Sequence, residues 1–188
     1  MAMIYVANEV ELLNACSGHT VLGFHGTTSL ACERIETYGF LPHKVLAESE
    51  HEGILCIASS LGIDTAGYTD WLRMRSVTFA KHVEDAISHV KNGSSGGQGL
   101  RNIQVVLGSI AEHGDNTQKE VVQRVNEKIL LMRKAVPVVY AVDLSGLGPR
   151  LVNDQHQPFY QYYWNPDAPW PKSSDIDQSR LVARLIIV

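Results

Sequence analysis

Apolar residues change their spacing several times along this chain, and each change marks an element. Asn8 stands where a helix cap belongs, ahead of Leu12, Leu13 and Cys16, and Gly18 suits the left-handed turn that closes such a helix. Val21-Leu22-Gly23-Phe24 is a short apolar run bounded by punctuation, the pattern of a buried strand. After the polar corner His25-Gly26-Thr27-Thr28, Ser29 predicts a helix start. Ala31, Ile35 and Tyr38 then fall at i, i+4 and i+7, and Gly39 is the stop.

Residues 41–75 mix acids, glycines and isolated apolar positions, and only Gly53-Ile54-Leu55-Cys56-Ile57-Ala58 reads as a short strand. Ser76-Val77-Thr78-Phe79-Ala80 predicts another strand, leading into a helix with Val83, Ala86, Ile87 and Val90 at helical spacing. The glycine- and serine-rich run 92–99 reads as a loop. Its glycines lack the lysine and hydroxyl of a phosphate loop. Leu100, Ile103, Leu107 and Ile110 mark the next helix. Thr117 with Glu120 has the form of a capping box opening another, whose stripe is Val122, Val125, Ile129 and Met132. Pro137 then begins the strand Val138-Val139-Tyr140-Ala141-Val142-Asp143-Leu144, where its missing donor costs least. The aromatic run 159–164 reads as a strand, 165–174 as a proline-broken loop, and 181–188 as a final buried strand. The aromatics Tyr160, Tyr162, Tyr163, Trp164 and Trp170 read as core alternating with surface, with stacking on a base as the other possibility.

Composition narrows the field. At 188 residues and 45% hydrophobic content, the chain suits a single domain over 1–188. A formal charge of -4 gives no broad basic surface for duplex nucleic acid. Cys16, Cys32 and Cys56 are odd in number and lack ligand spacing, which suits reduced thiols, core-filling roles and a cytosolic setting. His43, His51 and His82 are too scattered to suggest a metal site. No segment has the length and hydropathy of a membrane span, so neither membrane nor metal is expected as a partner. Glu48, Glu50 and Glu52 beside His51 read as a solvated charge cluster, with a loop-supplied catalytic acid as the alternative.

The candidate chemistry lies at the His-Gly-Thr-Thr corner. An imidazole at a sheet edge, a glycine that lets the backbone approach a ligand, the hydroxyls of Thr27 and Thr28, and a helix N-terminus together suit a ribose or phosphate. Alternatively, these residues only cap a strand and a helix. Phe24-His25-Gly26-Thr27-Thr28, the helix after it and Ile35-Glu36-Thr37-Tyr38-Gly39-Phe40-Leu41-Pro42 resemble the first motif of the ADP-ribosyltransferase superfamily, in its histidine-type branch related to poly(ADP-ribose) polymerases. Ser76-Val77-Thr78-Phe79-Ala80-Lys81 and the following helix resemble the second motif. The late strand, loop and strand resemble the third region.

That resemblance implies an α+β fold with a split, mostly antiparallel sheet, flanking helices and an NAD cleft between the halves. It implies NAD as substrate, with His25 orienting the ribose, Gly26 offering backbone contacts to nicotinamide, and Thr27, Thr28, Thr78 and Phe79 lining the site. Thr78 stands where the family places a tyrosine that stacks on nicotinamide. The family's catalytic glutamate has no evident counterpart; Gln161 is the nearest candidate and Asp167 the carboxylate alternative. The implied reaction transfers ADP-ribose to a protein or nucleic-acid acceptor, recognised by 53–75 or 93–99. Two alternatives accompany it: a non-catalytic ADP-ribose or protein-binding module, supported by the missing glutamate, and an NAD-dependent RNA 2′-phosphotransferase, which relies on an arginine set not recognisable in Arg34, Arg73, Arg75, Arg101 and Arg180.

Overall fold

The computed structural model of the protein describes residues 3–40, 46–73, 76–91, 97–152, 158–163 and 175–187. Among them the helices are α1 (Glu9–Ala15), α2 (Ser29–Tyr38), α3 (Glu48–Ser60), α4 (Ala66–Arg73), α5 (Val83–Lys91), α6 (Gly97–His113) and α7 (Asn116–Lys134). The strands are β1 (Ile4–Val6), β2 (Leu22–Thr28), β3 (Ser76–Ala80), β4 (Pro137–Asp143), β5 (Arg150–Val152), β6 (Phe159–Tyr163) and β7 (Leu181–Ile186). The class is α+β. The chain divides into two compact units, one of Met1–Pro42, Arg75–Ser95 and Ala135–Val188, the other of His43–Met74 and Gly96–Lys134.

The first unit is built on one mixed sheet in the order β1-β7-β4-β2-β3-β6-β5, antiparallel except where β1 runs parallel to β7. Strand β4 sits inside this order and is buried from Val138 to Val142, which explains its unbroken apolar run. On one face Phe24, Val139, Ala141, Ala183 and Leu185 pack with Leu12 and Cys16 of α1 and with Val83, Ala86 and Val90 of α5. On the other, Phe79, Val138, Tyr140 and Val142 pack with Cys32 and Ile35 of α2, and with Phe40 and Ile176. Asn8 caps α1 as expected: its side chain accepts from Glu11 N at 2.9 Å, while Glu11 reaches back to Ala7 N at 2.9 Å.

The second unit is helical. Ile54 and Ala58 of α3, Tyr68 of α4, Ile103, Leu107 and Ile110 of α6, and Val122, Val125 and Ile129 of α7 form its core. The expected strand at 53–58 is corrected here, because those residues lie inside α3. Ile54 and Ala58 are four apart and join buried His51 on one helical face, and a six-residue apolar run alone does not separate a buried strand from a buried helix. The box opening α7 is likewise shifted: Asp115 and Gln118, rather than Thr117 and Glu120, exchange backbone-to-side-chain bonds of 2.9 Å in each direction. Helix α6 starts at Gly97, inside the expected loop, and 92–96 and 164–174 lie outside the described residues. Cys16 and Cys32 are buried, but Cys56 is exposed rather than core filler. No helix among the described residues is long and apolar enough to cross a membrane.

A polar rank crosses the α2-covered face. Tyr5, Arg184 and Tyr140 occupy paired positions on β1, β7 and β4, and Glu36 of α2 meets all three. Tyr140 donates to Glu36 Oε1 at 2.7 Å, Arg184 forms an ion pair with the same oxygen, and Tyr5 donates to Oε2 at 3.3 Å. The guanidinium also lies 4.5 Å above the Tyr5 ring. Burial pushes the Glu36 carboxyl up, but the bonds from Tyr140, Arg184 and Tyr5 outweigh it and hold it below its ordinary value. A lowered carboxyl stabilises the fold above its unfolded value, and that stability is lost as pH falls through the folded value. Glu36→Gln leaves Arg184 without its counter-charge. Urea denaturation at pH 7 should show a loss of about 1–3 kcal/mol, between the exposed and buried limits for ion pairs, and a flatter acid limb of stability against pH; an unchanged acid limb would show that Glu36 is not a linked group.

Candidate functional site: a seam in the sheet at His25

Strands β2 and β3 are neighbours that pair at a single position, Phe24 with Ala80, whereas β2 and β4 share seven paired positions and β3 and β6 share five. The sheet therefore consists of a four-stranded part, β1-β7-β4-β2, and a three-stranded part, β3-β6-β5, joined at one point. Beyond Phe24 no further paired position joins β2 and β3 among the described residues, and His25 bridges the two strands. Its Nδ1 lies 2.9 Å from the Thr78 carbonyl oxygen. A carbonyl only accepts, so Nδ1 carries the proton and, in the neutral ring, Nε2 is the acceptor.

The residues of the corner are placed by the pleat. His25 pairs with Tyr140, so it continues the rank of Tyr5, Arg184 and Tyr140 on the α2-covered face. Its ring packs edge-on against Phe40 at 4.8 Å and against Phe79 at 5.6 Å between centroids. Phe79 is fully buried, and Tyr160 and Tyr162 pack on the same core. Tyr162 donates to Asp175 Oδ2 at 2.5 Å, and burial together with that carboxylate pushes its hydroxyl pKa up to about 12. Tyr160 and Tyr162 are half-buried and Tyr163 is exposed, while Trp164 and Trp170 lie outside the described residues. Thr27 follows the pleat onto His25's face.

Gly26, Thr28 and Thr78 belong to the opposite face. At Gly26 a Cβ would lie 2.5 Å from Val90 Cγ1 and 2.9 Å from the Ala86 carbonyl oxygen, so α5 rests directly on this backbone. The glycine therefore has a packing role here, set by the helix. Thr28 is buried and is the N-cap of α2, with an extended backbone and no side-chain cap bond; its carbonyl accepts from Cys32 Sγ at 3.7 Å. The expected cap, Ser29, is instead the first helical residue, its N–H donating to the Val136 carbonyl at 2.8 Å. The cause is β4, whose pairing with β2 continues to Thr28 opposite Pro137 and keeps the strand extended through the whole corner. Tyr38, expected on the apolar stripe of α2, is exposed, and Cys32 and Ile35 are the residues it buries.

Thr78 pairs with Gln161 across β3 and β6, and both stand on this second face, with Gln161 Nε2 donating to Ser76 Oγ at 3.2 Å. The sheet thus separates the expected site residues: His25, Thr27 and Phe79 lie on one face, and Gly26, Thr28, Thr78 and Gln161 on the other. Only at the seam do the two sets meet, through His25 and the Thr78 carbonyl. Asp167 lies outside the described residues. In the helical unit, Glu50 is held by Lys128 and by Ala47 N at 2.9 Å, and His51 is buried with Nδ1 on the Tyr68 hydroxyl. Glu50 thus serves a helix start and an ion pair. No group of three or more potential metal ligands occurs among the described residues. Sequence reading did not mark Arg150, which pairs with Gln161 on the far side of β6; a lone cation in a three-residue strand carries no signal. No protein-family model, curated protein or solved structure matches the chain.

The contact at Gly26 is testable. Gly26→Ala should destabilise by about 1–3 kcal/mol in urea titration, the usual range for overpacking, because one of its two close neighbours is helix backbone. Adding Val90→Ala should recover part of the loss and leave the part due to the Ala86 carbonyl. A neutral Gly26→Ala would mean that α5 is free to lift from β2.

Proposed function

We propose that this chain binds NAD at the seam and transfers its ADP-ribose part to a protein or nucleic-acid acceptor, releasing nicotinamide. The observation that carries the reading is the imidazole of a His-Gly-Thr corner standing where the pairing of β2 with β3 is reduced to one position, and bonded across to the Thr78 carbonyl. A dinucleotide lodged there would meet groups from both faces. His25, held in one tautomer by the Thr78 carbonyl, would orient the ribose. The backbone at Gly26 would face the nicotinamide amide, and Thr78 would contribute a hydroxyl where the resembled family has an aromatic ring.

In the reaction the bond between the ribose C1′ and the nicotinamide nitrogen breaks, the electron pair leaves with nicotinamide, and the acceptor nucleophile forms the new bond to C1′ and gives up its proton to solvent. Positive charge gathers on the sugar as the bond opens, and fixed dipoles or a carboxylate stabilise it. Gln161 would position the ribose through its amide oxygen, its Nε2 being engaged with Ser76. A neutral amide stabilises that charge less than a carboxylate does. One observation favours a second reading, a module that binds NAD or ADP-ribose without turnover: the paired positions of β3, β6 and β5 on the Gln161 face, Ser76, Thr78, Tyr163 and Arg150 among them, include no carboxylate.

Incubation with NAD labelled in the adenylate part, followed by assays of bound label, transferred label and free nicotinamide, tests both readings. Loss of His25 in His25→Ala should reduce binding or transfer at least several-fold, and Gln161→Ala should reduce transfer more than binding. Unchanged labelling in His25→Ala removes the site assignment. Saturable binding with no nicotinamide release in the wild type selects the module.

A further inference from the structure

On the face of the sheet that carries Gln161, a row of side chains runs outward from the seam. Thr78 pairs with Gln161 across β3 and β6, and Gln161 pairs with Arg150 across β6 and β5. Paired residues of antiparallel strands share a face, and neighbouring strands stand about 4.8 Å apart, so the row spans about 10 Å from Thr78 to Arg150. Thr78 and Arg150 are exposed and Gln161 is half-buried. Beside the row, Ser76 holds the Gln161 amide and the exposed Tyr163 offers a hydroxyl. The opposite face of β3 and β6 is apolar and packed, through Phe79, Val77, Tyr160 and Tyr162, while Leu151 of β5 is exposed. Arg150 forms no ion pair among the described residues, in a chain whose formal charge is -4.

We infer that this row is a ribose–phosphate track for the donor nucleotide, with sugar hydroxyls at Thr78 and Gln161 and the phosphates at Arg150. A ribose hydroxyl both donates and accepts, which suits a hydroxyl and an amide oxygen side by side. A guanidinium binds phosphate oxygens in a planar fork, which suits the phosphates of the same nucleotide at the outer end of the row. The inference rests on the NAD reading above and adds to it the residue that selects for phosphate.

Its test compares wild type, Arg150→Gln and Arg150→Lys by calorimetric titration with ADP-ribose and with ADP, beside nicotinamide release from NAD. Arg150→Gln should weaken both ligands about tenfold and flatten the salt dependence, as loss of a charge-assisted contact does, while Arg150→Lys should recover part of the affinity. Equal ADP-ribose affinity in wild type and Arg150→Gln, with nicotinamide still released, overturns the track and leaves the transfer reading standing. Arg150-dependent ADP binding without nicotinamide release keeps the track and overturns the transfer reading. Edge strands such as β5 often carry charge to block pairing with other chains; aggregation of Arg150→Gln at unchanged affinity assigns Arg150 that role instead. Should the variant not fold, titration of the wild type with inorganic pyrophosphate, read at the Arg150 side chain by nuclear magnetic resonance, reports the same contact. A shift there supports the track, and silence overturns it.

Discussion

The contact between α5 and the backbone of β2 constrains the whole first unit. Helix α5 leaves β3 after two residues and crosses back over the sheet, where Val90 and Ala86 meet Gly26 with no space for a side chain. A strand carrying any Cβ there would hold the helix away, and Phe24 would lose its cover of Val83, Ala86 and Val90. With the helix seated, β2 and β3 share one paired position. The unpaired stretch is crossed by a side chain: His25 reaches the Thr78 carbonyl and replaces in part the ladder that the strands do not make.

On the α2 face the side chains around Glu36 bond to one another, and among the described residues Arg184 Nε is left buried without a hydrogen-bond partner. Tyr140 is fully buried, and its hydroxyl is kept protonated, with burial the main cause and the adjoining Cys32 and Glu36 adding to it. Glu36 takes that proton donor, the Arg184 guanidinium and the Tyr5 hydroxyl, so one carboxylate ties α2 to three strands. His25 is the next member of the same rank, one strand further on. The imidazole is therefore fixed by a neighbourhood that is itself fixed, which is the condition under which a side chain holds a ligand without first paying to be ordered.

The sheet also imposes a division on any functional reading. Residues adjacent in sequence alternate in face, so His25 and Gly26 cannot serve the same side of a continuous sheet. A ligand that uses both must sit where the sheet is not continuous, which is why the seam, more than any single residue, bears the proposed chemistry. The polar row from Thr78 to Arg150 opens from one side of that seam, while the aromatic packing of Phe40 and Phe79 closes around His25 on the other.

Much of this was legible in the residues. Local signals decided α1 through Asn8, β4 through its apolar run, and α5, α6 and α7 through their stripes, because caps and periodicity act within a few residues. The same signals misread Ser29 and 53–58: pairing with β4 carried β2 through the corner to Thr28, and burial against α6 and α7 made 53–58 a helix. The histidine, the glycine and the threonines were named from the chain alone, but which of them share a face, that Gly26 is required by Val90, and that Arg150 stands beside Gln161 depended on strand pairing. Pairing joins residues tens of positions apart, and a one-residue change of register would reverse every side chain, so no local pattern contains it.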